Sequence, residues 1–172
     1  HKGPILPATQ NGNRYITSII DCFTGHVTSY CVRDIDAPTT AKTLLKHCSR
    51  TGLPLRIQSD QCSDLISDIV KHFCRITGCK DIRVTAYYPE GNGQIERWHR
   101  TLNSGLRVIA TANQLDFQDG DSWEPYVWKL NSLHNNRRSR RFGMSPNEFG
   151  SGGRAFRTPI KANTELQLLN PR

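Results

Sequence analysis

No apolar run in this 172-residue chain approaches the roughly 18 residues a membrane-spanning helix needs. No positively charged, then apolar, leader opens it either, so the composition offers neither a span nor a secretory signal. The six cysteines contain no Cys-x-x-Cys pair, and Cys74 and Cys79 have no second pair at zinc-finger spacing. Cys22, Cys31, Cys48, Cys62, Cys74 and Cys79 therefore read as reduced thiols, most of them small core residues of an intracellular protein. The histidines show no ligand spacing and read as structural. There is no internal repeat, and the chain opens on His1 rather than on Met, which leads us to expect a fragment of something longer. Acid is in short supply: Asp+Glu number 15 against 23 Lys+Arg, a net charge of +8. That balance points to a polyanionic partner without saying which.

The apolar pattern predicts alternating strands and helices. Tyr15 to Cys22 and Val27 to Val32 are rich in strand formers, and Thr24-Gly25 between them is a tight-turn signal, so an antiparallel hairpin is expected. Asp36 and Pro38 start a helix with Ala41, Leu44, Leu45 and Cys48 on its buried face, and Gly52 with Pro54 stops it. A short strand from Leu55 to Ser59 ends at Asp60. A second helix is capped by Ser63 or Asp64, buries Ile66, Ile69, Val70 and Phe73, and ends at Gly78. Ile82 to Ala86 is the next strand. Further on, Trp123, Val127, Leu130 and Leu133 mark a helix with Pro125 in its first turn, and Ser145-Pro146-Asn147-Glu148 is a capping box before a short one. Trp98, Trp123 and Trp128 read as core. Residues 1–150 are expected to form one α/β domain, a mixed sheet flanked by helices. Residues 151–172 are expected to be a tail or the start of a further segment.

The chain is organised around Thr85 to Arg107. Pro89, Gly91 and Gly93 lie within five residues, which predicts a mobile loop. From about Gln94 the period becomes helical, with Ile95, Trp98, Leu102, Leu106 and Ile109 on the buried face. Glu96, Arg100, Asn103 and Arg107 share another face: one carboxylate in the expected first turn above cations and an amide. A metal ligand beside a phosphate track fits that order, and so does an ordinary solvated face. Thirty-five residues separate Asp60 from Glu96. A carboxylate at a strand's C-terminal end can meet one at a helix start across the sheet edge, and together such acids hold Mg²⁺ (or Mn²⁺) for chemistry at phosphorus.

Ser59-Asp60-Gln61 followed by Thr85-Ala86-Tyr87-Tyr88-Pro89-Glu90-Gly91-Asn92-Gly93-Gln94-Ile95-Glu96-Arg97 resembles the catalytic core of retroviral and gypsy-class retrotransposon integrases. Gly12-Asn13-Arg14-Tyr15 with Ile20-Asp21, and Gly143-Met144-Ser145-Pro146-Asn147-Glu148, extend the resemblance over roughly residues 1–150. It implies an RNase H-like fold of the DDE superfamily and Mg²⁺-dependent DNA integration, in which a 3′ end is trimmed and its hydroxyl then attacks target DNA. It makes Asp60 and Glu96 the catalytic, metal-holding acids. The family's first Asp, set from Gly3-Pro4, falls immediately before His1, so the chain alone is expected to be inactive. Asp21 matches a position that holds no metal. Cys62 stands where the family usually has Gly, and Tyr88 and Glu90 replace its usual His and Gln.

The expected nucleic-acid contacts are Asn92, Arg97, Arg100, Asn103 and Arg107, with Arg137, Arg138, Arg140 and Arg141 of the densest basic run. That run reads equally as a solvated turn, and it also suits a nuclear-localisation segment, which makes the nucleus the expected compartment. DNA is the expected partner, with a homodimer or higher assembly by family analogy. Three function classes follow: an integrase core, a catalytically inactive domesticated copy that binds nucleic acid or a partner, and a different RNase H-like nuclease with the same acids.

Overall fold

A computed structural model describes residues 1, 3–5, 8–54, 56–58, 63–77, 83–85, 89–113, 122–140 and 143–150. The hairpin is strand β1 (Tyr15–Ile20) paired antiparallel with β2 (Val27–Val32), in register from Tyr15 opposite Val32 to Ile20 opposite Val27. Helix α1 (Ala37–Thr51), strand β3 (Arg56–Gln58), helix α2 (Ser63–Thr77) and strand β4 (Arg83–Thr85) follow, and β3 pairs parallel with β4. Helix α3 (Pro89–Ala112), helix α4 (Glu124–Asn136) and the short α5 (Pro146–Gly150) complete the order read from the sequence. Both strand orientations are present, as two separate two-stranded ladders among the described residues.

Local chemistry sets the element ends. The Asp36 carboxylate accepts the Thr39 N–H at 2.8 Å, giving α1 its N-cap. At the other end Gly52 takes φ 86°, open to glycine at little cost, and its N–H returns to the Cys48 carbonyl. The capping box of α5 is reciprocal: Ser145 N–H donates to Glu148 at 2.7 Å, and Glu148 N–H donates to Ser145 Oγ at 3.3 Å.

The hairpin separates two apolar clusters. On one face Ile16 and Val27 pack with Trp98, Leu102 and Ile109 of α3, Val127 and Leu130 of α4, and Trp123 just before α4. On the other, Ile19 packs against Ala41, Leu44 and Cys48 of α1 and Phe73 of α2, joined by Ile57 of β3. Helices α3 and α4 approach so closely at Gly105 that a Cβ there would lie 2.5 Å from Leu130 Cδ2. We expect Gly105→Ala to destabilise the fold by about 1–3 kcal/mol despite alanine's better helix propensity, because backbone or Leu130 must shift. Chemical denaturation would show it as a lower midpoint at unchanged slope.

Three expectations change. The expected loop at residues 89–93 is the start of α3. Proline fits there because the first helical residue has no use for its N–H, and each glycine costs only about 1 kcal/mol against alanine. The anchored helix beyond Ile95 offsets that. Trp128 is 64% exposed rather than core, since α4 buries Val127, Leu130, Asn131 and Asn135 and turns the next position outward. Cys22 is exposed as well, whereas Cys48 is buried and Cys31 and Cys74 are half-buried. Burial, aided by Glu124, pushes the Cys31 thiol up to about 12, which keeps it neutral and unreactive. Cys62, Cys79 and the tail from residue 151 lie outside the described residues.

Candidate active site

The parallel ladder sets Gln58 opposite Thr85, so the C-terminal ends of β3 and β4 share one edge. The chain leaving β3 reaches Asp60 within two residues, and the chain leaving β4 enters α3 at Pro89. Asp60 itself lies outside the described residues, as does Arg141. Asn92 falls near the start of α3.

What orients Glu96 is the residue two positions on. Trp98 is 2% exposed, and its Nε1–H reaches Ser18 Oγ at 3.2 Å and Ser29 Oγ at 3.1 Å. Those hydroxyls stand opposite each other on β1 and β2, 2.9 Å apart. Two residues are 200° of helical turn. Holding Trp98 inward therefore turns Glu96 outward, and Glu96 is exposed with no hydrogen bond or ion pair to any described residue. It stands two turns inside α3, deeper than a start at Gln94 implied. Arg97, Arg100 and Arg107 are exposed along the same helix and Asn103 is half-buried. Arg137, Arg138 and Arg140 are exposed just beyond α4. There Ser139 N–H donates to the Met144 carbonyl at 2.9 Å and Gly143 N–H to the Ser139 carbonyl at 2.8 Å, folding the loop back toward α5.

An exposed carboxylate whose oxygens are engaged by no described residue suits a hard divalent cation. By itself it is only part of a centre: among the described residues no group of three His, Cys, Asp or Glu could hold a metal. Asp21 is engaged elsewhere. Burial works against its ionisation, but the Thr24 hydroxyl at 2.6 Å and the Phe23 N–H at 3.1 Å outweigh it and keep the carboxyl below its usual range. It closes the hairpin turn.

Sequence reasoning missed the polar contacts that fasten this turn to the helices. Gln94 donates to the Cys22 carbonyl at 3.4 Å, at the start of α3. Asn135, 5% exposed, accepts the Val27 N–H at 2.9 Å and donates to the Val27 carbonyl at 2.7 Å, capping a strand end that α4 covers. The His134 ring lies 3.1 Å from the Gly25 carbonyl and edge-on to Trp98 at 5.0 Å. No local signal reveals such hydrogen bonds, because their partners lie 70 or more positions away in sequence.

Burial lowers the affinity of His26, His47 and His134 for a proton; their neighbours Asp21, Arg50 and Arg137 adjust it. Each binds a proton more readily unfolded than folded, so the stability they contribute is whole above about pH 6.5 and is lost as pH falls below it. The melting temperature should therefore drop between pH 7 and pH 5, and His134→Gln should flatten that dependence.

Among the described residues no helix is long and apolar enough to cross a membrane. No family model matches the chain. It is 31% identical over 161 residues to the Gag-Pol polyprotein of baboon endogenous virus, covering 93% of this chain and 9% of that polyprotein. To the retrovirus-related Pol polyprotein from transposon 412 of Drosophila melanogaster it is 28% identical, over 72% of this chain and 10% of that protein. The chain thus spans about a tenth of the relatives it matches. In three dimensions it resembles the integrase catalytic core domain of HTLV-2, solved in complex with magnesium in a trimeric form (TM-score 0.58, 17% identity, 78% of this chain and 90% of that one). It also resembles a chain of the simian T-cell lymphotropic virus intasome in complex with the PP2A regulatory subunit B56 gamma (TM-score 0.65, 17% identity, 91% and 54%). Pol relatives along nearly the whole sequence and the RNase H-like fold of integrase cores place this chain in the family of retroviral and retrotransposon integrase catalytic cores.

Proposed function

We propose that the chain is the working core of a retroelement integrase, which trims the 3′ ends of element DNA and joins them to target DNA. The observation that carries this reading is Glu96: an exposed carboxylate without a partner among the described residues, on a helix locked in rotation by Trp98, beside the exposed Arg97, Arg100 and Arg107. In this reading Asp60 and Glu96 would hold Mg²⁺ or Mn²⁺. When bound, the metal supplies a Lewis acid for the attacking and leaving oxygens at phosphorus. The chain's own residues present the carboxylates, Glu96 on a helix whose rotation Trp98 fixes, and set cations along the phosphate backbone. The nucleus and an assembly of two or more copies belong to the same proposal.

The test is DNA-end joining by a protein extended upstream of His1, with Mg²⁺, with Mn²⁺ and with chelator. Joining only with metal supports the reading. DNA binding without joining in any metal would favour the inactive, domesticated module, a reading motivated by Cys62, Tyr88 and Glu90 at the family's site positions. Arg100→Ala with Arg107→Ala should lower the salt dependence of DNA affinity by about two in log–log slope, one phosphate contact each.

A further inference from the structure

Strand β2 has one strand partner among the described residues, β1, and neither strand carries a charge: they read Tyr-Ile-Thr-Ser-Ile-Ile and Val-Thr-Ser-Tyr-Cys-Val. Short uncharged segments rich in strand formers, without proline or glycine, add readily to further strands. Sheet edges commonly carry a lysine, a proline or a bulge that prevents such addition. Strand β2 has no lysine and no proline, and it pairs with β1 without a bulge. What closes its edge lies on α4.

In an antiparallel pair every second residue turns its N–H and C=O away from the partner strand. On β2 these residues are Val27, Ser29 and Cys31. Both backbone groups of Val27 go to the Asn135 amide, at 2.9 Å and 2.7 Å, and the Ser29 carbonyl accepts from Asn131 Nδ2 at 3.5 Å. Asn135 Nδ2 also meets His26 Nε2 at 3.2 Å, which fixes the way the amide is turned. Asn135 pairs with Val27 and Asn131 with Ser29, so α4 runs antiparallel to β2. Four helical residues advance about 6 Å and two strand residues about 6.8 Å, so the amides keep step with the strand to within about 1 Å. That mismatch accounts for the longer second contact, and Asn131 Oδ1 is left buried without a partner among the described residues. One turn further along α4 stands Val127, which has no polar group to offer Cys31.

A side-chain amide presents a donor and an acceptor, the same pair that a neighbouring strand presents to each outward-facing residue. We propose that Asn131 and Asn135 stand in for a neighbouring strand, and that by doing so they keep a second copy of this chain from adding its own β2 along this edge. The register that pairs every outward-facing residue is antiparallel about Ser29, with Val27 opposite Cys31 of the other copy. Without the two amides, the β2 strands of two copies meet in that register and the sheet continues from one copy into the next. The inference stands whether or not the chain joins DNA.

The experiment follows amide hydrogen exchange residue by residue, with light scattering, over a range of protein concentrations. It compares the wild-type chain with Asn131→Ala, Asn135→Ala and the double variant. In the wild type the Val27 N–H should exchange as slowly as the amides bonded between β1 and β2. In dilute Asn135→Ala it should exchange roughly ten- to a hundredfold faster, the worth of two hydrogen bonds, with the β1–β2 amides unchanged. As the double variant is concentrated, the amides of Val27, Ser29 and Cys31 should slow together while scattering rises above the wild type. That joint slowing belongs to strand addition and separates it from assembly through any other face. Should the double variant fail to fold, Asn131→Ala decides the matter. It gives up only the longer contact and an unpaired buried oxygen, so it should melt close to the wild-type temperature and still associate by its edge at lower concentration. A Val27 amide as slow in Asn135→Ala as in the wild type, variants that associate no more than the wild type, or association that leaves the three amides fast would each overturn the proposal.

Discussion

Glu96→Gln is expected to abolish DNA-end joining while leaving DNA affinity equal or slightly higher. Glutamine keeps the size and one acceptor oxygen but removes the charge that holds a hard divalent cation. Losing a metal that stabilises developing charge at phosphorus costs several kcal/mol of barrier, on the order of a thousandfold in rate or more. Binding is spared because Glu96 is exposed and makes no hydrogen bond or ion pair with a described residue, so the substitution breaks none of the contacts that hold the described fold. The negative charge removed also stands beside a phosphate track. Asp60→Asn should reproduce the phenotype, and the double variant should be hardly worse than either single one, since both acids would serve one centre. Joining at the wild-type rate by Glu96→Gln would end the enzyme reading.

Trp98→Ala carries the largest expected cost in stability, about 3–5 kcal/mol. The indole is 2% exposed at the meeting point of β1, β2, α3 and α4, and its loss opens a cavity lined by rigid elements that cannot close over it. Trp98→Phe isolates the polar part. The ring's volume is mostly retained, the Nε1–H is lost, and Ser18 and Ser29 still have each other at 2.9 Å, so about 1 kcal/mol is expected beyond the change in volume. Because the same contact turns Glu96 outward, Trp98→Phe should lower the rate of joining more than it weakens DNA binding. Denaturant titration and single-turnover joining on the same protein would separate the two effects.

Much of this fold was legible because its punctuation is local. Asp36 with Pro38 and the Ser145–Glu148 box announce helix starts through contacts three residues long, and Gly52 announces an end by a backbone angle few other residues adopt. The start of α3 was misread for the opposite reason. Pro89, Gly91 and Gly93 are weak helix formers individually, and the decision lay with a helix anchored further on by Trp98. Trp128 shows the limit of periodicity: a single position's shift around α4 separates the buried Val127 from an exposed indole. At the proposed site, Glu96 and its arginines were singled out by pattern and by family resemblance. The device that aims them, a tryptophan between two serines from different strands, depends on partners 69 and 80 residues away and has no local trace.

The Glu124 carboxylate receives hydrogen bonds from Thr9, from Asn13 at 2.7 Å and from Asn11 at 3.1 Å, partners 111 to 115 positions earlier in the chain. Asn135 reaches back 108 positions to Val27. On a ribosome adding about 5–20 residues per second, the first hairpin waits roughly 5 to 20 s for the helix that satisfies its polar edge. Through that interval the 9–13 turn and the start of β2 lack these bonds, and the N-terminal segment settles last although it is made first. A nascent chain halted before residue 122 should accordingly be cut by protease within residues 8–27, and one halted well past residue 136 should be protected there.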